Sequence, residues 1–298
     1  MTARYTPHLG CAASAERRGD VMVASAPPAE RWLLIEYRDA WPRIAADVLG
    51  ELAPEVTGLC AERRCRPVLI RRHGRQDRTA PRRWGLVDAR PGYESVRWGQ
   101  LSADQHLLDV LTADEPGVPG REPVYLVCAH GRHDACCAVR GRPVAAALAA
   151  AYPARTWECS HVGGDRFAAN LIVLPHGLVY GHVTAESALE VVRLYDERRL
   201  RPDLLRGRSS LVPAVQAAQH FARAGGASYD VDALRLDALD QVAPDTWIVT
   251  LDGTEVTVRS RTQVVDGAMT CATTPPGRVR VFDQVKPEYE PALSQPPR

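Results

Sequence analysis

Lysine is almost missing from this chain: Lys286 is the only one among 37 Lys and Arg residues. That imbalance reads as genomic base composition, not mechanism. With 36 acidic residues the formal net charge is +1, which suggests neither nucleic acid nor a membrane surface as partner. No apolar run reaches the roughly 18 residues that a membrane span needs. The opening stretch, MTARYTPHLGCAASAERRGD, lacks the apolar core of a signal peptide. These absences predict a cytoplasmic address. Disulfides are rare there, so clustered cysteines read as metal ligands or redox thiols. Two reactive patterns are also missing: a C-x-x-C pair at a strand-to-helix turn, and a placed carboxylate pair of the kind a glycosidase uses. Glu158 and Asp165 are the nearest candidates, and both read equally well as loop residues.

What is present describes an ordinary globular protein of 298 residues, 45% apolar and 24% charged. Residues 1–30 are small and polar and read as a flexible N-terminal arm, with Cys11 a bystander thiol. RWLLIEY has strand character. Trp41 to Arg64 has helical spacing, with Pro42 suited to a first turn and Pro54 to a kink. RPVLIRR, WGLVDAR and YESVRWGQ read as strands. A short helix capped by Ser102 follows and ends at Pro116–Gly117.

From Pro123 this order repeats. PVYLVC is a strand, PVAAALAAAYP a helix and TWECS a strand. NLIVLPHG and LVYGHV form a hairpin about Pro175–Gly177. ESALEVVRLYDERR is an amphipathic helix with Leu189, Val192 and Tyr195 on one face. Strand, helix, three strands and helix is the core of a thioredoxin-like α/β fold. The expectation is therefore two tandem thioredoxin-like halves, a degenerate one at 31–118 and one at 122–200 that keeps the ligands. A C-terminal α+β extension at 205–286 follows, with Asp252–Gly253 as a hairpin turn. The Pro-rich tail, 287–298, reads as disordered.

Four of the eight cysteines and three of the nine histidines fall between Cys128 and Asn170. In C-A-H-G-R-H-D-A-C-C the first cysteine, Cys128, ends an apolar strand. The last, Cys137, stands just before a helix whose start Gly141–Pro143 marks. There a thiolate gains from N–H groups and the helix dipole. Cys159-S-His161-V-G-G-D also follows a strand. Two loops at one end of a sheet can bring two ligands each to one zinc or iron–sulfur centre. Gly163 and Gly164 would let the backbone pass close to it. His130 and His133 read as loop or supporting groups, His176 and His182 as surface or packing residues. Cys60 and Cys65 read as a helix-end thiol and a loop thiol. Arg140, Arg142 and Arg166 are loop charges that can offset a thiolate-bound centre and steer an anionic partner.

C-x-H-G-x-x-D-x-C-C followed by W-E-C-S-H-x-G-G-D-R-F-A-A-N resembles the sucrase/ferredoxin-like family. Its members are thioredoxin-like ferredoxins, and fungal relatives bind a [2Fe-2S] cluster through two Cys and two His. The resemblance is specific from about Cys128 to Val183. It implies Cys128 and Cys137, nine positions on, as ligands of one iron, and leaves Cys136 off the ligand set. His161 matches the first histidine ligand. The second falls on Asp165, so the fourth ligand is Cys159 or Asp165, with thiolate the commoner iron ligand. The implied function is electron transfer with a redox partner protein that the sequence does not name; sucrose hydrolysis, which the family name suggests, finds no support in the residues. A thiol-redox enzyme on a thioredoxin scaffold and a structural zinc site are the alternatives.

Overall fold

The computed structural model describes residues 10–75, 77–112 and 117–286. It is a mixed α/β fold with one ten-stranded mixed sheet and a second, four-stranded antiparallel sheet. Among the described residues no helix is long and apolar enough to cross a membrane. Pro116 and the tail from residue 287 lie outside the described residues.

The first run of the large sheet is β1 (Arg31–Glu36), a 3-10 turn (Ala45–Leu52), α2 (Ala53–Glu62), β2 (Cys65–Arg71), β3 (Arg82–Asp88), β4 (Ser95–Leu101), α3 (His106–Thr112) and the short β5 (Val118–Pro119). The second run is β6 (Val124–Cys128), α4 (Ala135–Ala151), β7 (Thr156–Cys159), β8 (Leu171–Leu174), β9 (Leu178–Tyr180), α5 (Ala185–Asp196) and β10 (Leu205–Arg208). The strands lie in the order β10-β9-β8-β6-β7-β2-β1-β3-β4-β5. In each run the first two strands are parallel and the third pairs antiparallel with the first. The runs meet where β2 and β7 pair antiparallel, with Ile70 opposite Cys159 and Arg71 opposite Glu158. Glu158 is buried at this seam, 2.9 Å from both Arg71 Nε and His73 Nδ1.

Strand alternation sorts the core into layers. Leu33 and Ile35 of β1 pack with α2 and α3, through Val56, Cys60 and Leu107. Tyr125 and Val127 of β6 pack with α4 and α5, through Val144, Leu148 and Val191. The opposite alternation, Trp32, Leu34, Leu126, Cys128 and Cys159, forms one cluster across both runs.

Several elements depart from the sequence expectations. Residues 10–30 are not a loose arm throughout: α1 (Cys11–Arg18) closes on Gly19 at φ 66°, and Cys11 is buried in the shared cluster. The Trp41–Arg64 stretch is not one continuous helix: Gly50, at a non-helical φ of 54°, kinks the 3-10 segment, and α2 follows from Ala53. In α5 the buried face is Ala188, Val191, Val192 and Tyr195, while Leu189 is exposed. Helix α4 begins at Ala135, well before Gly141–Pro143. The Asp134 carboxylate caps it, accepting the Cys136 N–H at 2.8 Å, and Pro143 is carried inside the helix. Both Cys136 and Cys137 therefore lie in its first turn.

The C-terminal part has α6 (Pro213–Ala224) against a sheet of β11 (Leu236–Ala243), β12 (Thr246–Leu251), β13 (Thr254–Val265) and β14 (Gly277–Val285). Asp252 and Gly253, at φ 46° and 76°, make the tight β12–β13 turn. The β13–β14 connection returns toward α1 and α4, so that Arg18 packs against Gly267.

His176 is buried beside Tyr195, its Nδ1 2.5 Å from the phenol oxygen. Burial, aided by Arg208 and Arg198, lowers it from 6.5 to about 4. The unfolded chain takes up this proton below its ordinary value, and the folded protein only below the depressed one. Stability should therefore be lost as pH falls through that window, on the order of 3 kcal/mol in all. His176→Gln should flatten that part of the acid limb in urea unfolding measured at a series of pH values.

Candidate metal centre

The loops after β6 and β7 lie side by side at one end of the sheet. Ala129 N–H donates to the Cys159 carbonyl at 3.1 Å, and His161 N–H donates to His130 Nδ1 at 3.2 Å. Cys128 brings its thiol from the end of β6, Cys137 from the first turn of α4, and His161 its ring from the second loop. These three donor atoms all lie within 4.8 Å of one another. A second set, His133, His161 and Asp165, meets the same limit and shares His161. Asp165 joins the two sets: its Oδ1 accepts from Cys137 Sγ at 3.1 Å and lies 2.9 Å from His161 Nδ1. That approach to Nδ1 is outside hydrogen-bond geometry, so His161 Nδ1 is a buried nitrogen with no hydrogen-bond partner. The His133 and His161 rings stack with centroids 3.6 Å apart.

The thiol side of this group is sealed, with Cys128 at 1% and Cys137 at 0% exposure, whereas the His161 side chain retains 22%. The hydrogen bond from Cys137 favours the Cys128 thiolate and, against burial and with help from His161, lowers Cys128 to about 5. That same bond, then burial, raises Cys137 well above its ordinary value. Burial opposes the imidazolium of His161, but Asp165 and Cys128 outweigh it and raise the group to about 9. Burial likewise opposes charge on Asp165, and His161 and Cys137 overcome it, leaving that carboxyl below its usual range. Without a metal the group is thus a thiolate, a thiol, an imidazolium and a carboxylate facing one point; once the thiol and the imidazolium give up their protons it becomes a donor set suited to a soft or borderline metal.

Cys159 lies opposite Cys128 in the β6–β7 register, fully buried, but it is not among the donor atoms within 4.8 Å. His130 is held away from the centre: its Nε2 lies 2.7 Å from the Pro42 carbonyl and its ring meets Trp41 edge-on. The second loop is shaped by an arginine the sequence reading did not single out. Arg206, 2% exposed, donates to the Gly163 carbonyl at 2.9 Å, to Asn170 Oδ1 at 2.7 Å and to the Ser25 carbonyl at 2.6 Å. Gly163 and Gly164 take φ of 94° and 81°, and a side chain on Gly164 would overlap the Arg206 guanidinium. The second glycine therefore makes room for an arginine. Arg140 sits in α4 paired with Glu16, and Arg166 with Asp20, so both are tied into α1 and the turn after it. Arg132 and Arg142 are exposed and line a cleft with Arg71 and Trp41. Cys60 and Cys65 are both buried, on α2 and at the start of β2, and hydrogen-bond to each other.

A mixed α/β protein with a buried thiol, imidazole and carboxylate group that can hold metal is the class that fold and site define. The chain belongs to the sucrase/ferredoxin-like family, whose model matches residues 22–207. No curated protein and no solved structure matches the chain.

Proposed function

We propose that the protein is an electron carrier in which Cys128, Cys137 and His161, with Asp165 or Cys159 as the fourth ligand, hold a [2Fe-2S] cluster. The observation that carries this reading is the convergence of two thiols and an imidazole at one end of the sheet, closed on the thiol side and open to solvent only through the histidines. His161 Nδ1 is buried and makes no hydrogen bond, although the Asp165 carboxylate lies 2.9 Å away, which fits a ring nitrogen held for a metal. Bound there, such a group would take up and release an electron. The chain's own residues orient and shield. Asp165 sits against both Cys137 and His161, His130 fixes the His161 backbone, and Arg206 holds the Gly163–Gly164 turn. The exposed Arg132 and Arg142 beside the site suit a redox partner with an acidic surface.

The strand orders β2-β1-β3-β4 and β7-β6-β8-β9 support reading the sheet as two thioredoxin-like halves joined edge to edge, with ligands kept in the second. A reducing, cytoplasmic setting fits the eight cysteines. A zinc site is the second reading, favoured by the compactness of the donor atoms, which one ion can span. A thiol-exchange enzyme is disfavoured because Cys128 and Cys137 are both buried from a disulfide substrate.

Purification without oxygen, followed by the visible spectrum and iron and sulfide analysis, tests the proposal. A reddish-brown protein with equal iron and sulfide supports it. Colourless protein carrying zinc and no sulfide would overturn it. Within this reading, His161→Cys should still assemble the centre, because thiolate can replace imidazole. It should lower the midpoint potential, on the order of 100 mV or more, because imidazole leaves a cluster less negative than thiolate does. An unchanged potential in protein-film voltammetry would remove His161 from the ligand set.

A further inference from the structure

Three segments far apart in the chain bring a second set of donors together. Cys11 opens α1, Asp134 and Cys136 stand at the start of α4, and Cys271 lies in the β13–β14 connection. Their donor atoms all fall within 4.8 Å of one another. Cys136 Sγ is 3.3 Å from Cys271 Sγ, which is 3.6 Å from Cys11 Sγ. Cys11 Sγ is 3.8 Å from each oxygen of Asp134. A tetrahedral zinc with Zn–S bonds of about 2.3 Å requires sulfur–sulfur edges of roughly 3.8 Å, so the thiols already stand close to that spacing. Hydrogen bonding alone is a weak reason for such a gathering, since thiols are poor donors and acceptors. A disulfide would engage two of the three sulfurs and leave the third without a role.

Asp134 is placed for both its neighbours and a metal. Its Oδ1 accepts the Cys136 N–H at 2.8 Å and its Oδ2 the Cys271 N–H at 2.6 Å. Each carboxylate oxygen keeps a lone pair for a further bond. The backbone bond to Cys271 also holds the β13–β14 connection against the start of α4. Cys136 and Cys137 are adjacent on the first turn of α4, so one faces each group of donors. Arg166 reaches Met269 Sδ of the same connection at 3.8 Å and supplies positive charge near Cys11. Cys11 and Cys271 both lie outside the 22–207 stretch that the family model matches.

We propose that Cys11, Cys136 and Cys271, with Asp134, form a second metal site that binds one zinc(II) and staples α1 and the C-terminal sheet to α4. Four protein ligands leave no open position, which makes the site structural. Binding releases the three thiol protons to solvent and involves no change of oxidation state. The site does not depend on what the first centre holds.

The test is the zinc content of the full chain, expressed with zinc and desalted under reducing conditions, alongside the spectrum and metal content of the first centre. Cys271→Ser and Cys11→Ser should each lower zinc by one equivalent per chain while the first centre is unchanged. Cys271→His should restore the equivalent. Cys271 is exposed in a connection, so its replacement is compatible with folding, and retention of the first centre reports that directly. After chelator stripping, cobalt(II) added to the wild-type chain should give tetrahedral thiolate bands that are weaker in Cys271→Ser. Zinc content unchanged in both serine variants would overturn the proposal. So would a zinc-free wild-type chain whose intact mass is two hydrogens low, the signature of a disulfide.

Discussion

Cys137→Ser should empty the first centre and leave the fold standing, and Cys128→Ser should do the same. Cys137 sits on the first turn of α4, fully buried, with its sulfur 3.1 Å from Asp165 Oδ1 and hydrogen-bonded to Cys128. Serine nearly preserves the volume, so packing around the helix start is kept. A serine hydroxyl is a harder ligand that does not ionise near neutral pH, so a soft metal loses one of its strongest bonds. Metal content and visible absorbance should fall at least about tenfold, as expected for a lost ligand where even supporting partners are worth 10–100-fold. Far-UV circular dichroism should be unchanged. Cys136→Ser is the matched control: its sulfur faces Cys271, so the first centre should be retained. Full metal in Cys137→Ser together with loss in Cys136→Ser would reverse the assignment of the two adjacent thiols.

Gly141→Ala should be the most damaging single methyl that can be added near the site. Helix α4 passes so close to the end of β6 that a Cβ at Gly141 would overlap the carbonyl oxygen of Cys128, a backbone atom that cannot swing aside. Either the helix lifts from the strand or the strand end moves. Both displace Cys128 relative to Cys137, the two thiols of one donor group. Overpacking of this kind costs about 1–3 kcal/mol, occasionally more, and alanine's better helix propensity returns roughly 1 kcal/mol at most. The expected result is a lower urea midpoint together with weaker metal retention at the first centre. A variant as stable as the wild type and fully loaded would show that helix α4 and the end of β6 can part without cost to the centre.

The residues in sequence already contain most of the order of elements from β1 to α5, though not α1, and the two loops where a metal centre could form. Both are written locally. Apolar runs such as RWLLIEY and PVYLVC become buried strands, Asp252–Gly253 makes a hairpin turn, and ligands placed just after two strands are delivered to one end of a sheet. Cys128, Cys137 and His161 are legible in that way; for the fourth position the family resemblance leaves Cys159 or Asp165, and of these two Asp165 is the one that lies against both Cys137 and His161. The start of α4 was misplaced because proline and glycine usually mark a helix boundary; here the Asp134 cap set the start and packing on β6 carried the helix through both. What only the tertiary structure decided is where side chains from distant segments converge. Cys136 and Cys271 are 135 positions apart and Cys271 and Cys11 are 260 apart, so no spacing rule links them. Arg206 reaches the Gly163 carbonyl across 43 positions. Helical and strand periodicities tell which face of an element is apolar, but which partner meets that face depends on packing across the whole chain. Cys11 could thus read as a bystander in an arm, and its place beside Cys271 and Asp134 emerged only once α1 and the β13–β14 connection were folded onto α4.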